Sequence, residues 1–302
     1  MAGPLDGIRV VDFTKMIAGP LATMTLADQG ADVIKVEPPN GGDHTRLVAT
    51  QRAGFSASFV NNNRNKRSIV LDLKNPEGLA AAHRLIAGAD VVVQNFRAGV
   101  ADRIGIGEAK ARELNEQIIY TSIAGFGFTG PYVDKPVFDP LVQAVSGLTT
   151  VQAGADDQRP RLVRTILPDK LTGIQASQAI SAALFARERT GKGQHIELSM
   201  IDTVVSFLWS SDMGGHTFVG DEMEKEQAQS FIDLIYETAD GYVSVAVMQN
   251  KEWLAVTEAL DQPTLRDDPR FRTAALREEN KDARLQAMQD AIAGFTSAEI
   301  IE

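Results

Sequence analysis

Residues 8–37 read "IRVVDFTKMIAGPLATMTLADQGADVIKVE", and this stretch decides the fold. It opens on a short apolar run, residues 8–13, of the kind a buried strand shows. Gly19-Pro20 then punctuates the chain, and proline suits the first turn of a helix because it has no N–H to leave unsatisfied. "LATMTLADQG" reads as that helix, with Gly30 as its C-terminal stop. "ADVIKVE" reads as a second strand. A strand, helix and strand in so short a span predict a right-handed parallel crossover.

The alternation recurs. "SIVLDL" predicts a strand, "NPEGLAAAHRLIAGA" a helix opened by proline, and "DVVVQNF" a strand. "VADRIGIGEAKARELN" predicts helix and "IIYTSIAGF" strand. A Gly/Pro-rich loop, "GFGFTGPYVDKPVF", precedes a short helix over about residues 139–147. A long helix follows Pro168-Asp169 and ends at "TGKG", and "QHIELSM" reads as one more strand. Strands and helices in strict alternation predict an α/β domain: an open, mostly parallel sheet with helices on both faces. After Ser199 the texture changes to a helix, a charged connection, a hairpin turning near Asp240-Gly241 and several charged helices. The expected division is a large domain over 1–199, a linker helix and connection over 200–229, and a small α+β domain over 230–302.

Composition narrows the function. The chain has 302 residues, 44% hydrophobic and 23% charged, with a net charge of −10. That balance argues against nucleic acid or an anionic membrane as partner. It contains no cysteine, which excludes disulfides, cysteine nucleophiles and thiolate metal sites, and fits a cytoplasmic protein. No basic segment followed by an apolar one opens the chain, so no signal peptide is expected, and no apolar run is long enough to span a bilayer.

Several chemistries lack their motif. The first strand–loop–helix carries no G-x-G-x-x-G, so a nicotinamide or flavin dehydrogenase is a poor reading. No phosphate-binding P-loop and no G-x-S-x-G elbow occur, and the four histidines form no i,i+4 pair. Two carboxylates remain. Asp139 and Asp169 each follow an extended stretch and open a predicted helix. Each is either a helix N-cap or a reactive carboxylate held ionised by the helix amides and poised to attack an electrophile such as a thioester.

Taken together, "PLDGIRVVDFTKMIAGPLATMTLADQGADVIKVE", "NKRSIVLDLKNPEG", "ADVVVQNFRAGVADRIG", "GFGFTGPY", "DPLVQAVSGL" and "RERTGKGQHIELSM" resemble the family III CoA-transferases. That group includes formyl-CoA transferase, carnitine CoA-transferases and the related α-methylacyl-CoA racemases. The stretches span nearly all of residues 4–202, and "YETADGYVSVAV" with "DDPRF" resembles the family's small domain. The resemblance implies a homodimer of interlocked chains that moves CoA from an acyl-CoA to a carboxylic acid through an aspartyl anhydride and an enzyme–CoA thioester. It implies Asp169 as nucleophile and Asp139 as a supporting carboxylate, with Asp139 itself as the second choice of nucleophile. Contacts to CoA carry over to Ile17, Ala18, Leu71, Lys74, Asn95, Phe96, Val100, Arg103 and Ile104, with Arg97 a further candidate. CoA and acyl-CoA enter as substrates, with no tightly bound cofactor and no metal.

The racemases of the group place a histidine just before the second carboxylate. Here that residue is Phe138, which cannot exchange a proton. A transferase is therefore expected ahead of a racemase or epimerase, and a non-catalytic CoA-binding paralogue is the third reading. Pro38 stands where formyl-CoA transferase has a basic residue, and "SSDMGGHTFVGDEMEKEQAQSF" stands in place of its glycine-rich loop, so oxalate is a doubtful substrate. Family members continue past the small domain, so the chain is expected to lack their C-terminal return segment.

Overall fold

The computed structural model describes residues 3–48, 50–154, 158–213, 216–220 and 233–302. The chain divides into two units, Met1–Ser230 and Phe231–Glu302. Of the linker helix and connection expected over 200–229, residues 214–215 and 221–229 lie outside the described residues.

The first unit begins with β1 (Arg9–Asp12), α1 (Ala18–Asp28) and β2 (Asp32–Glu37). The short hairpin of β3 (Gln51–Arg52) and β4 (Phe55–Ser56) leads into α2 (Ala57–Asn63). Then come β5 (Lys66–Val70), α3 (Pro76–Ala87), β6 (Val91–Gln94), α4 (Val100–Arg103), α5 (Glu108–Leu114) and β7 (Ile119–Ala124). The series closes with α6 (Asp139–Val145), α7 (Leu148–Ala153), α8 (Leu167–Thr190), β8 (Gln194–Ser199) and α9 (Met200–Trp209).

Six strands form one sheet in the order β5-β2-β1-β6-β7-β8, and every neighbouring pair is parallel. The α/β expectation is met: alternate residues of the central strands face opposite helical layers. Val10, Val33, Val91, Val93 and Ile119 pack with Ala22 and Leu26 of α1 and Ala176, Ile180 and Leu184 of α8. Val11, Val36, Val92 and Tyr120 pack with Ala82 and Ile86 of α3, Ala101 of α4 and Ala111 of α5. Each fully buried Val or Ile in these layers contributes about 1.5–3 kcal/mol.

The strand order fixes where a ligand fits. From β1 the chain runs to β2 and β5 on one side of the sheet; β6, β7 and β8 lie on the other. Adjacent loops after β1 and β6 therefore diverge, and a crevice opens at the carboxyl ends of those strands.

Some elements differ from expectation. The helix predicted over 100–115 is two helices, because Gly105 takes a left-handed conformation (φ 83°) after α4. The strand predicted from Ser68 begins at Lys66 and ends at Val70. The polar sequence of α2 shows no apolar period and gave no helix signal.

The second unit holds an antiparallel hairpin, β9 (Ile235–Glu237) and β10 (Tyr242–Ser244), with Thr238 N donating to Gly241 O across the turn. Helices α10 (Asn250–Ala259), α11 (Pro263–Arg266), α12 (Ala274–Glu279), α13 (Lys281–Ile292) and α14 (Ser297–Ile301) accompany it. Tyr236, Val243, Trp253, Leu260, Phe271, Met288 and Ile292 form its core.

Candidate active site

Helices α1 and α8 pack side by side on one face of the sheet. Each begins at the carboxyl edge, since α1 leaves β1 and α8 runs back toward the start of β8. Gly173 permits the close approach: a Cβ there would stand 2.8 Å from the Ala18 carbonyl oxygen and 3.0 Å from Leu21 Cβ. The first turn of α8, with Asp169, is thereby set beside the first residue of α1.

Neither Asp139 nor Asp169 caps its own helix. Asp169 is the third residue of α8, whose N-cap is Ile166, and Asp139 is the first residue of α6, whose N-cap is Phe138. Asp139 instead serves α8 from outside. Its Oδ2 accepts a hydrogen bond from the Asp169 backbone N–H at 3.1 Å, and its Oδ1 accepts from Gln143 Nε2 at 2.6 Å. Gln143 also donates to the Thr165 carbonyl at 3.0 Å and accepts from Val163 N–H at 2.9 Å. Asp139 and Gln143 are buried, while Asp169 is partly open to solvent.

The electrostatics of Asp169 follow. Burial and the neighbouring Asp139 push its carboxyl up to about 6, against the opposing pull of a hydrogen bond from the Ala18 backbone N–H. The helix amides were expected to keep Asp169 ionised at neutral pH; desolvation and a like charge oppose them and raise it above an ordinary carboxyl. At neutral pH the group is still mostly anionic, and it is more basic than an ordinary carboxylate. Phe138, next to Asp139, is exposed and offers no proton.

The other singled-out residues lie mostly on loops leaving the same sheet edge. Ile17 is the N-cap of α1 and Ala18 its first residue. The Ala18 amide lies near enough to Asp169 to draw its carboxyl down, so the loop expected at the adenine also stands beside the carboxylate. Asn95 and Phe96 follow β6. Asn95 binds Lys15 reciprocally, its Oδ1 accepting from Lys15 N–H at 2.9 Å and its Nδ2 donating to Lys15 O at 2.8 Å, which ties the two loops at the crevice. Phe96 N–H donates to Gln94 Oε1 at 2.8 Å, and Lys15 Nζ lies 5.6 Å from the Phe96 ring centroid. Val100, Arg103 and Ile104 are in α4 and at its C-cap, with Ile104 packed on the apolar layer beneath. Leu71 and Lys74 follow β5, two strands away from β1. Lys74, Arg97 and Arg103 are exposed.

Sequence reasoning passed over Gln143, although "DPLVQ" places it four residues after Asp139, on the same helix face. It also passed over Asp12, Lys35 and Lys66, charged residues inside or beside strands. Asp12 is completely buried. It accepts from Thr14 N–H at 2.8 Å, Thr23 Oγ1 at 2.7 Å and Lys66 Nζ at 3.0 Å. Burial pushes its carboxyl up, but Lys66, Lys35 and the hydroxyls together outweigh it and leave it at about 2. For Lys66, burial prevails over the attraction of Asp12 and lowers the ammonium to about 8. The pair is ionised at neutral pH, since both values leave it so. The usable signal was a charge within an apolar strand, which must find a partner inside.

Among the described residues no group of three or more His, Asp or Glu is placed to hold a metal ion, and no helix is long and apolar enough to cross a membrane.

Comparison with known proteins agrees with this picture. The family described as CoA-transferase family III matches residues 5–302. Succinate–glutarate CoA-transferase of Agrobacterium fabrum is 38% identical over 92% of this chain and 72% of its own length. Acetyl-CoA:oxalate CoA-transferase of Acetobacter aceti is 36% identical over 96% of this chain and 75% of its own length. The crystal structure of a CaiB/BaiF family protein from Brucella suis superposes with a TM-score of 0.85 at 32% identity, covering 100% of this chain and 81% of that one.

Proposed function

The chain belongs to CoA-transferase family III, and from that premise we propose that it moves CoA from an acyl-CoA donor to a carboxylic acid acceptor with Asp169 as nucleophile. The observation that carries the proposal is a carboxylate at the carboxyl edge of the sheet, reached by the Ala18 amide, backed by Asp139 and raised to about 6. Such a group is both ionised and nucleophilic at neutral pH.

The Asp169 carboxylate attacks the thioester carbonyl, the C–S bond breaks, and CoA leaves as thiolate, giving a mixed anhydride. The thiolate attacks the Asp169 carbonyl of that anhydride, the donor acid leaves as carboxylate, and Asp169 carries CoA as a thioester. The acceptor carboxylate then displaces the thiolate to form a second anhydride. Attack of the thiolate on the acceptor's carbonyl yields the new acyl-CoA and frees Asp169. Asp139 keeps the first turn of α8 in place throughout. Lys74, Arg97 and Arg103 supply exposed cations for the phosphates of CoA, and the loops at Ile17–Ala18, Leu71, Asn95–Phe96, Val100 and Ile104 line its path.

The relatives named for succinate, glutarate and oxalate make short dicarboxylic acids the first acceptors to try. The absence of a proton-transferring group at Phe138 speaks against racemisation. A homodimer belongs to the same reading, and light scattering on the purified protein measures it. The decisive test incubates the protein with succinyl-CoA, traps with hydroxylamine or borohydride, and maps the modified peptide. Modification at Asp169, lost together with turnover in Asp169→Ala, is the expected result; turnover without modification there refutes the assignment.

A further inference from the structure

The loop between β1 and α1 is held at nearly every backbone polar group. Thr14 N–H donates to Asp12 Oδ1 at 2.8 Å, and the Thr14 carbonyl accepts from Lys35 Nζ at 2.9 Å. Both polar groups of Lys15 are taken by Asn95. Met16 N–H donates to Asp43 Oδ1 at 3.3 Å, and Asp43 pairs with Lys35 at 3.0 Å. Met16 itself stands in the left-handed region at φ 67°, which a side-chain-bearing residue keeps only where its surroundings over-determine it. The loop ends at Ala18, on whose carbonyl α8 packs at Gly173, 2.8 Å from where a Cβ would lie, and whose amide draws the Asp169 carboxyl down.

One buried group joins the two ends of this loop. Lys66 Nζ, on a side chain only 2% exposed, donates to Asp12 Oδ2 at 3.0 Å, to the Pro20 carbonyl at 2.8 Å and to Asn63 Oδ1 at 2.9 Å. All three ammonium protons are used. Asp12 is the last residue of β1, and Pro20 lies in the first turn of α1. Helix α1 has no side-chain cap of its own, so its start is set from below by Lys66.

We propose that Lys66 is a positioning residue for CoA transfer: by clamping Asp12 to Pro20 it sets where α1 begins and so aims the Ala18 N–H at the Asp169 carboxylate. It acts through the loop and is too buried to touch substrate. The proposal rests on the reading of Asp169 as nucleophile. A buried ammonium kept only for stability would leave the reactivity of Asp169 unchanged when replaced. A positioning ammonium would not, because Asp169 would lose its amide donor while Asp139, the charged group facing it, stayed in place.

The experiment measures kcat, KM for acyl-CoA and the pH profile of kcat/KM for the whole chain, for Lys66→Met and for Thr23→Val. The second variant removes the 2.7 Å hydroxyl bond to Asp12, with the longer contacts of the same hydroxyl to the Gly19 and Pro20 carbonyls at 3.3 and 3.2 Å, and leaves Lys66 in place. In Lys66→Met, kcat is expected to fall about tenfold or more with KM little changed, as a misplaced reacting group requires. The acid limb is expected to move up by about half a pH unit or more, because the carboxylate has lost a hydrogen bond to its charged form. Thr23→Val shifts both in the same direction by less, and decides the matter if Lys66→Met does not fold. A folded variant with lowered thermal stability but wild-type kcat and acid limb overturns the proposal. Asp169→Ala, run in parallel, separates the two claims: turnover surviving there removes the nucleophile, whereas its loss beside an unmoved limb in Lys66→Met removes the clamp alone.

Discussion

At Asp169 two influences oppose each other, and the like charge of Asp139 with burial prevails over the Ala18 amide. A carboxyl held near 6 must lose its proton before it can attack, so kcat/KM should fall as pH drops through about 6. Asp139→Asn removes the repulsion but leaves the burial, so the acid limb should move down from about 6 while staying above about 4, the ordinary Asp value. A limb that stays near 6 in a folded Asp139→Asn protein would show that Asp139 does not set it. The same basicity bears on the proposed anhydride. A carboxylate of pKa about 6 leaves less readily than an ordinary acid of about 4. Thiolate attack at the Asp169 carbonyl, which expels the external acid, is thus eased relative to the return step. Asp139 and Asp169 were both legible as carboxylates opening helices after extended stretches. Their division of labour was not, because it depends on Asp139 accepting from the N–H of Asp169, 30 positions further along the chain.

Among the elements, the contact of α8 with α1 decides where Asp169, the proposed nucleophile, stands. Gly173 looks in sequence like a weakness of the long helix, since glycine costs about 1 kcal/mol against alanine in a helix interior. Its reason is the Ala18 carbonyl, 2.8 Å from where a Cβ would lie. Gly173→Ala therefore gains about 1 kcal/mol of propensity and loses about 1–3 kcal/mol to overpacking. We expect a lower melting temperature and a reduced transfer rate, with Gly173→Val more severe in both; a melting temperature at or above wild type with full activity would contradict this. Strand and helix alternation was readable through most of the first unit because buried parallel strands show unbroken apolar runs, as "VVV" of β6 does. The split between α4 and α5 was not, because Gly105 sits within an otherwise helical period and only its left-handed backbone ends the helix.

Over the molecule as a whole, the charges buried beneath the first loop set the response to acid. Asp12 is lowered from 3.8 to about 2, against its own burial, chiefly by Lys66 and Lys35. Glu37 is lowered from 4.5 to about 2, again against burial, by Arg46, Ser68 and the Asp43 amide. A depressed folded value means stability present in full above the unfolded value and lost as pH falls through the folded one. Urea midpoints should therefore hold from neutrality down to about 4.5 and fall steeply between about 4 and 2; a midpoint unchanged at pH 2.5 would show these pairs to be without net effect. The buried pairs were invisible in the sequence as pairs. Lys66 lies 54 positions from Asp12, and only the parallel sheet brings them together. The arrangement at Ala18 has a consequence in time. The loop and the start of α1 are held by residues no later in the chain than Asn95, while Asp169 arrives about 70 residues after it. A chain made from its N-terminus builds the wall of the crevice first and receives its proposed nucleophile last, when α8 docks, so on this reading an unfinished chain holds the receptor for the charge but not the group that acyl-CoA would modify.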